Sequence, residues 1–180
     1  DNPSQVNPPP TQIYVYDSVS GLEEKITELR TGKGHPRLYK DKIVWAEYRV
    51  RNGQANTDIY MYDLGTRTEK RITTNPGIQR NPNIFGDIIV WDDFRNGVTN
   101  KDVFMYDLRT GVEQQITFNE KNQLGAKVSG KSDSQGMIES YHIVWYDYRD
   151  GRPQVYLKVI GNQPVNSALL DATTRPYLKW

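Results

Sequence analysis

Three tryptophans end nearly identical short runs, KIVW at Trp45, IIVW at Trp91 and HIVW at Trp145; the intervals are 46 residues (45 to 91) and 54 (91 to 145). Each is followed by the same kind of word: Ala46-Glu47-Tyr48-Arg49, Asp92-Asp93-Phe94-Arg95 and Tyr146-Asp147-Tyr148-Arg149. A glycine comes next, at Gly53, Gly97 and Gly151, and then an alternating run, DIYMYDL from Asp58, DVFMYDL from Asp102 and QVYLKVI from Gln154. A further copy of that run, QIYVYDS, starts earlier at Gln12. Three short segments end in Ile-Thr, at Thr27, Thr73 and Thr117, and HPRLY from His35 and NPNIF from Asn81 precede the next tryptophan run. A period of this length marks a repeat architecture, in which each unit leaves an apolar face for its neighbour to cover.

The repeated segments are rich in β-branched and aromatic residues and alternate with a period of two, which excludes helices and predicts strands. Each unit therefore holds four strands: A (NPNIF), B (DIIVW), C (DVFMYDL) and D (EQQIT). Gly86-Asp87 between A and B, and Arg109-Thr110-Gly111 between C and D, have hairpin chemistry. In strand C, alternation sends Val103, Met105 and Leu108 one way and Phe104 and Tyr106 the other, so both faces are built to be covered. Four strands in about 45 residues is the unit of a β-propeller. The predicted fold class is thus all-β, a propeller of four-stranded antiparallel blades.

The order along the chain reads C-D, then A-B-C-D three times, then A. Residues 1–11 form an extended proline-rich segment ahead of a propeller over 12–180. Within it, 12–28 supply a C-D pair, 35–74, 81–118 and 126–172 supply three blades, and 175–180 (RPYLKW) supply an A strand, with SALLDAT as a degenerate last D. That makes three and a half to four blades, with both ends inside a blade. One reading closes the terminal pieces into a composite blade of a four-bladed ring. The other, favoured by the composite's want of a B strand, makes this a piece of a longer propeller or one chain of an assembled ring. An unclosed stack presents an edge and a face that invite self-association.

The pattern IVWxDxRNG, DIYMYDLxTGxExxIT, NPxIxGD resembles the TolB-type, WD40-like propeller repeat, over nearly everything from Gln12 to Trp180. That resemblance implies a periplasmic, surface or secreted setting. It implies little about activity, because such repeats scaffold unrelated proteins, including propeller domains fused to peptidases.

Composition removes several function classes. Lys and Arg number 23 against 22 Asp and Glu, a balance that offers no general attraction to nucleic acid. No run of about 18 apolar residues is present to span a bilayer as a helix. Cysteine is absent, which excludes disulfides and thiolate metal sites. His35 and His142 occupy unrelated repeat positions, and no Ser-His-Asp grouping, HExxH or phosphate loop is found. The expectation is a non-catalytic module with no cofactor and no metal. Asp92 with Asp93 and Asp147 with Asp150 are oxygen-rich turns, yet neither has calcium-loop spacing.

The candidate binding residues are the repeated words themselves: Glu47, Tyr48, Arg49, Asp93, Phe94, Arg95, Asp147, Tyr148 and Arg149. What recurs in every copy most simply serves the fold. The tryptophans then fill the space between blades, and each acid with the arginine two residues on ties the B–C turn, or reaches an adjacent blade, through a charged pair. On that reading Asp93→Ala costs roughly 1–3 kcal/mol. The functional alternatives are a ring of acids and arginines around one propeller mouth, or a glycan stacked on Tyr48, Phe94 and Tyr148. What breaks the repeat points elsewhere, to the polar insertion at 129–141, expected as a flexible loop between A and B, and to the D–A connections at 73–82 and 117–127. The expected function is protein binding or surface assembly outside the cytoplasm. The alternatives are a propeller domain of a larger hydrolase or peptidase, and a carbohydrate-binding module.

Overall fold

The computed structural model describes residues 10–28, 31–51, 54–162 and 178–179. All its regular elements are strands: β1 (Tyr14–Asp17), β2 (Leu22–Lys25), β3 (Lys33–Tyr39), β4 (Lys42–Arg51), β5 (Gln54–Asp63), β6 (Thr68–Arg71), β7 (Gln79–Phe85), β8 (Ile88–Asp93), β9 (Asp102–Asp107), β10 (Val112–Gln115), β11 (Gln123–Ser132), β12 (Ile138–Asp147), β13 (Gln154–Gly161) and β14 (Leu178–Lys179). They form one two-stranded sheet, β1-β2, and three four-stranded meanders, β3-β4-β5-β6, β7-β8-β9-β10 and β11-β12-β13-β14, with every pairing antiparallel. The chain divides into two compact units, residues 1–80 and 81–180.

In the second unit both faces of the inner strands are covered, as the alternation of strand C requires. Ile88, Val90, Val103 and Met105 pack with Ile116, Val128, Tyr141, Ile143 and Trp145 in one core. β8 and β9 are buried along their whole length. In the first unit Ile26, Ile43, Trp45 and Tyr60 form the core, with Ile13, Val15, Tyr62 and Leu64 packed against it. Burial of this much aliphatic and aromatic surface is the main force holding sheet to sheet.

The Ile-Thr ending has a defined task. The Thr hydroxyl accepts the backbone N–H at the start of strand C: Ile13 N–H to Thr27 at 2.8 Å, Ile59 to Thr73 at 2.9 Å and Val103 to Thr117 at 2.9 Å. All three threonines are buried, so the bond continues the ladder where the backbone pairing stops. Thr117→Val keeps the shape and removes the acceptor. It is expected to lower the unfolding free energy by about 1–3 kcal/mol, since the Val103 N–H is left buried and unpaired; urea denaturation measures this.

Strand A departs from the sequence reading in a regular way. His35, Asn81 and Gly125 all take positive φ, at 55°, 55° and 73°. The A–B register shifts at this point, between Gly34 and Arg37 and between Leu124 and Lys127. Strands β3 and β11 thus carry a bulge at the third residue, β7 has the same left-handed third residue, and all three begin two residues before it, at Lys33, Gln79 and Gln123. Strand A of the last sheet has Gly-Ala-Lys where the others have His-Pro-Arg and Asn-Pro-Asn, and glycine meets the left-handed backbone without strain.

Two expectations need correction. The insertion at 129–141 is not a flexible loop. It extends the A–B hairpin with Ser129 opposite His142, Gly130 opposite Tyr141, Lys131 opposite Ser140 and Ser132 opposite Ile138. Its turn is closed by the Asp133 carboxylate, which accepts the N–H of Gln135 and Met137. The polar composition reflects an exposed outer face, while Tyr141, Ile143, Trp145 and Asp147 are buried on the inner one. The second correction concerns RPYLKW, expected as the A strand of another blade. Leu178 and Lys179 instead pair with Leu157 and Tyr156 as the outer strand of the last sheet. An outer strand has only to satisfy the free edge of β13, which two residues begin to do. SALLDAT, expected in that place, lies outside the described residues.

Candidate functional site

The recurring words sit where each B strand ends, and alternation puts Trp, acid and Arg on one face. The indole N–H of Trp45 donates to Glu47 at 3.0 Å, that of Trp91 to Asp93 at 3.0 Å and that of Trp145 to Asp147 at 3.2 Å. Arg95 returns to the same carboxylate: its backbone N–H and Nε each donate to Asp93 Oδ1 at 2.9 Å, and Nη2 donates to Oδ2 at 2.7 Å. Arg149 does the same to Asp147, at 3.0, 3.0 and 2.6 Å. Each guanidinium lies over an aromatic ring of its own strand C, Arg95 3.9 Å from the Phe104 centroid and Arg149 4.3 Å from that of Tyr156. The tryptophans stack on the same rings at 6.2 and 6.1 Å. Four side chains from one B–C hairpin therefore close on one another.

The first complete blade makes a looser version. Trp45 stacks on Tyr60 at 5.9 Å, and Arg49 lies 4.5 Å from that ring. The longer Glu47 side chain takes the Thr31 hydroxyl at 2.7 Å and does not pair with Arg49. Arg49 approaches Asp58 instead, with Nε 3.8 Å from Oδ2, and Arg71 holds the other Asp58 oxygen at 2.8 Å.

Burial alone pushes the Asp147 carboxyl up, but the Arg149 side chain, the Arg149 N–H and the Trp145 indole outweigh it and hold it below the usual carboxylate value. Asp92 behaves oppositely. Burial raises it, and bonds from Asn81 Nδ2 at 2.8 Å, Ala126 N–H at 3.3 Å and Gly125 N–H at 2.8 Å only partly offset that. Asp92 thereby fastens β8 to the bulge of the neighbouring β11, while Asp93 beside it serves its own hairpin. The two carboxylates face different partners, and among the described residues no group of three His, Cys, Asp or Glu is placed to hold a metal.

These directions give a pH test. A lowered folded pKa contributes stability that is present above the unfolded value, near 4, and lost as pH falls through the folded one. Asp147→Asn is therefore expected to be least favourable at neutral pH, its deficit against wild type shrinking below about pH 4. For Asp92 the sign reverses: the ionised form weakens the fold, so Asp92→Asn gains on wild type as pH rises above about 4. Parallel urea titrations from acid to neutral pH check both.

The three rings weighed for glycan stacking, Tyr48, Phe94 and Tyr148, are half-buried. Tyr48 lies against Gly34, where an added Cβ would meet its ring at 3.3 Å, and Arg80 sits 5.7 Å from its centroid. Lys101 Nζ lies 4.9 Å from the centroid of Phe94. The repeated acids, arginines and rings thus come together hairpin by hairpin, largely facing partners within the fold.

Sequence reasoning pointed to the side bearing the B–C and D–A loops as the binding face, but did not single out the residues that the second unit presents there. The B–C loop between β8 and β9 is joined to the D–A loop between β10 and β11: Lys101 N–H donates to Asn122 Oδ1 at 3.1 Å, and Gln123 N–H to Lys101 O at 2.7 Å. Asn122 O in turn accepts the Tyr148 N–H at 3.0 Å. From these fastened loops Val98 and Phe118 project, 71% and 73% exposed. The available signal was the placing of two apolar residues in otherwise polar loops, at positions the other repeats do not share.

No protein-family model matches the sequence. No curated protein matches it either. Among solved structures it is similar to TolB from Acinetobacter baumannii, with a TM-score of 0.56 and 20% identity over 84% of this chain and 35% of that one. A putative TolB from Agrobacterium tumefaciens gives 0.52 and 18%, over 86% of this chain and 55% of that one. The β-propeller domain of the Trilobed protease from Pyrococcus furiosus gives 0.52 and 12%, over 72% and 39%. The chain spans about a third of the first of these and about half of the second. Meanders of four antiparallel strands, the repeated lock at each B–C corner and these likenesses converge on one architecture: the chain has a TolB-like β-propeller fold, of about three and a half blades.

Proposed function

We propose that this is a non-catalytic binding module that engages a protein partner outside the cytoplasm, through the face bearing the B–C and D–A loops of the blade formed by β7–β10. The observation that carries the reading is the fastened loop pair presenting Val98 and Phe118. Exposed apolar side chains on a rigid scaffold suit a protein surface, because little loop entropy is lost when they are covered. The repeated acids and arginines support the platform from below, Arg95 by bonding Asp93 and Glu113 and thereby holding the start of the loop. The extracytoplasmic setting is carried over from the TolB-type resemblance.

The test is site-specific photo-crosslinking of the full chain in an extract of its source cells, with the probe at position 98 or 118, or at Met137 on the distal A–B turn as the control. Capture of one protein from 98 and 118, abolished by Phe118→Asp and absent from 137, is the expected result. Capture from 137 alone would move the binding face to the other end of the blade and defeat the proposal.

A further inference from the structure

Each B–C connection contains a glycine preceded by an amide or an acid: Asn52-Gly53, Asn96-Gly97 and Asp150-Gly151. The first pair lies outside the described residues. In the other two, the side chain before the glycine bonds to the residue that opens strand C. Asn96 Nδ2 donates to Asp102 Oδ2 at 2.8 Å, whereas Gln154 Nε2 donates to Asp150 Oδ2 at 3.2 Å. The places correspond by register, Asp102 lying opposite Asp93 and Gln154 opposite Asp147. Amide and carboxylate have therefore exchanged places between the two hairpins, and each pair keeps one donor and one acceptor.

Asp102 depends on this match. It is 2% exposed, and its partners are neutral: the Thr117 hydroxyl at 3.0 Å and the Asn96 amide. Asp58, at the same place in the first complete blade, has Arg71 at 2.8 Å instead. Burial pushes the Asp102 carboxyl up and the charge of Asp93 adds to this, while the Asn96 and Thr117 bonds pull it down. Asn96 and Gly97 themselves are exposed, and the space where a Cβ on Gly97 would stand is open. No side chain therefore hinders the Gly97 backbone nitrogen from reaching the Asn96 side-chain carbonyl carbon. Every other asparagine among the described residues precedes a residue that has a Cβ.

We infer that Asn96 is a site of spontaneous deamidation, and that its conversion to an acid sets two carboxylates against each other and releases the β8–β9 loop. The Gly97 nitrogen bonds to Asn96 Cγ, the Cγ–Nδ2 bond breaks, and ammonia leaves with the proton that the Gly97 nitrogen gives up. Water then opens the cyclic imide, to aspartate at one carbonyl or to isoaspartate at the other. Two bonds slow the first step, Gly97 N–H to Phe94 O at 2.9 Å and the Asn96 amide to Asp102. Both close the same exposed loop, so one local opening frees them together. The product meets Asp102 with no donor between them, and like charges at that distance repel. The bonds further along the loop, Asn100 N–H to Gly97 O at 3.3 Å and Lys101 N–H to Asn122 Oδ1 at 3.1 Å, then lose their anchor. Val98 rides on this loop, so a loss of partner binding would follow; that last consequence rests on the binding reading above, whereas the conversion does not.

The test begins with the full chain held at mildly alkaline pH, digested, and mapped by mass to follow each asparagine. Asn96 is expected to convert ahead of every other described asparagine. An Asn96 that stays an amide, while a synthetic peptide of residues 93–100 converts, overturns the site. The consequence is read by hydrogen exchange on variants that need no conversion. Asn96→Asp is expected to speed exchange at Asn100 and Lys101 by about tenfold or more, and Asn96→Ala, which removes the bond without adding charge, by clearly less. Combining Asn96→Asp with Asp102→Asn restores one donor and one acceptor, as in the Asp150–Gln154 pair, and is expected to return exchange to near the wild-type rate. Equal effects of Asn96→Asp and Asn96→Ala, or no rescue by Asp102→Asn, would overturn the like-charge mechanism. None of these readouts involves a partner, so their failure leaves the binding reading standing, and its failure leaves them standing.

Discussion

Asp93→Ala is expected to destabilise the protein by about 3 kcal/mol, the cost typical of breaking a buried charged pair. The carboxylate is 1% exposed and satisfies the Trp91 indole, the Arg95 guanidinium and the Arg95 backbone N–H together. Alanine leaves the indole N–H buried with no acceptor. It also leaves Arg95 over Phe104 with only Glu113 to balance its charge. Asp93→Asn keeps the volume but turns an amide N–H toward a donor, so about 2 kcal/mol should still be lost. Glu47→Ala offers the internal comparison. Arg49 does not depend on Glu47, and that substitution is expected to cost about half as much as Asp93→Ala, the loss coming mainly from the indole and Thr31 bonds. Equal losses at 47 and 93 in urea denaturation would contradict the role assigned to the arginine.

The second large effect is expected at Tyr141, which is fully buried and belongs to the extended A–B hairpin. Its ring covers the neighbouring A–B turn so closely that a Cβ on Gly86 would come within 2.9 Å of it and within 2.6 Å of Ile138. Gly130, opposite Tyr141 in the hairpin, lies against Phe85 in the same way. Arg109, held by Asp107 and by Asn162, lies 5.7 Å from the Tyr141 centroid. Tyr141→Ala is expected to cost about 3–4 kcal/mol, the range for removing a large buried ring. Tyr141→Phe should cost under about 1 kcal/mol, because the hydroxyl accepts only a long 3.5 Å bond from the Asp87 N–H. Hydrogen exchange at Ile88 and Ile89 should speed up in the alanine variant, reporting the loosened contact between the two blades. An alanine variant as stable as wild type would return the insertion to the status of a dispensable loop.

The fold was legible because its determinants repeat. Tryptophan, the Ile-Thr ending and the Tyr-Asp close of strand C recur in register, and each proves to have a local partner that any copy can supply. The acid–arginine pairing was legible for the same reason, since a spacing of two on a strand leaves both side chains on one face. What could not be read depended on contacts between copies. Asp92 and Tyr146 are both the residue after a B-strand tryptophan. Asp92 is buried against Asn81 and Gly125, whereas Tyr146 is exposed, and nothing local distinguishes their tasks. Gly125 hid the third A strand, because the bulge needs a left-handed residue and not a particular side chain. The insertion misled through its composition: a hairpin whose outer face meets water carries the same Ser, Lys, Gly and Asp as a loop, and only the alternation of Tyr141, Ile143 and Trp145 gave its register away.

The lock at the β8–β9 and β12–β13 corners draws all four members from a single hairpin, and this bears on how such a chain grows. When a segment encoding one blade is duplicated, the copy arrives with its tryptophan, acid, arginine and ring already matched, able to hold its shape before any neighbour has adapted to it. The adhesive contacts between blades carry no such inheritance. Asp92 gripping the bulge of β11, and Tyr141 lying on Gly86, must be found anew at every junction. Ancestry should therefore be most visible in the corners and individuality in the seams, so a designer adding a blade can copy the first and must compose the second.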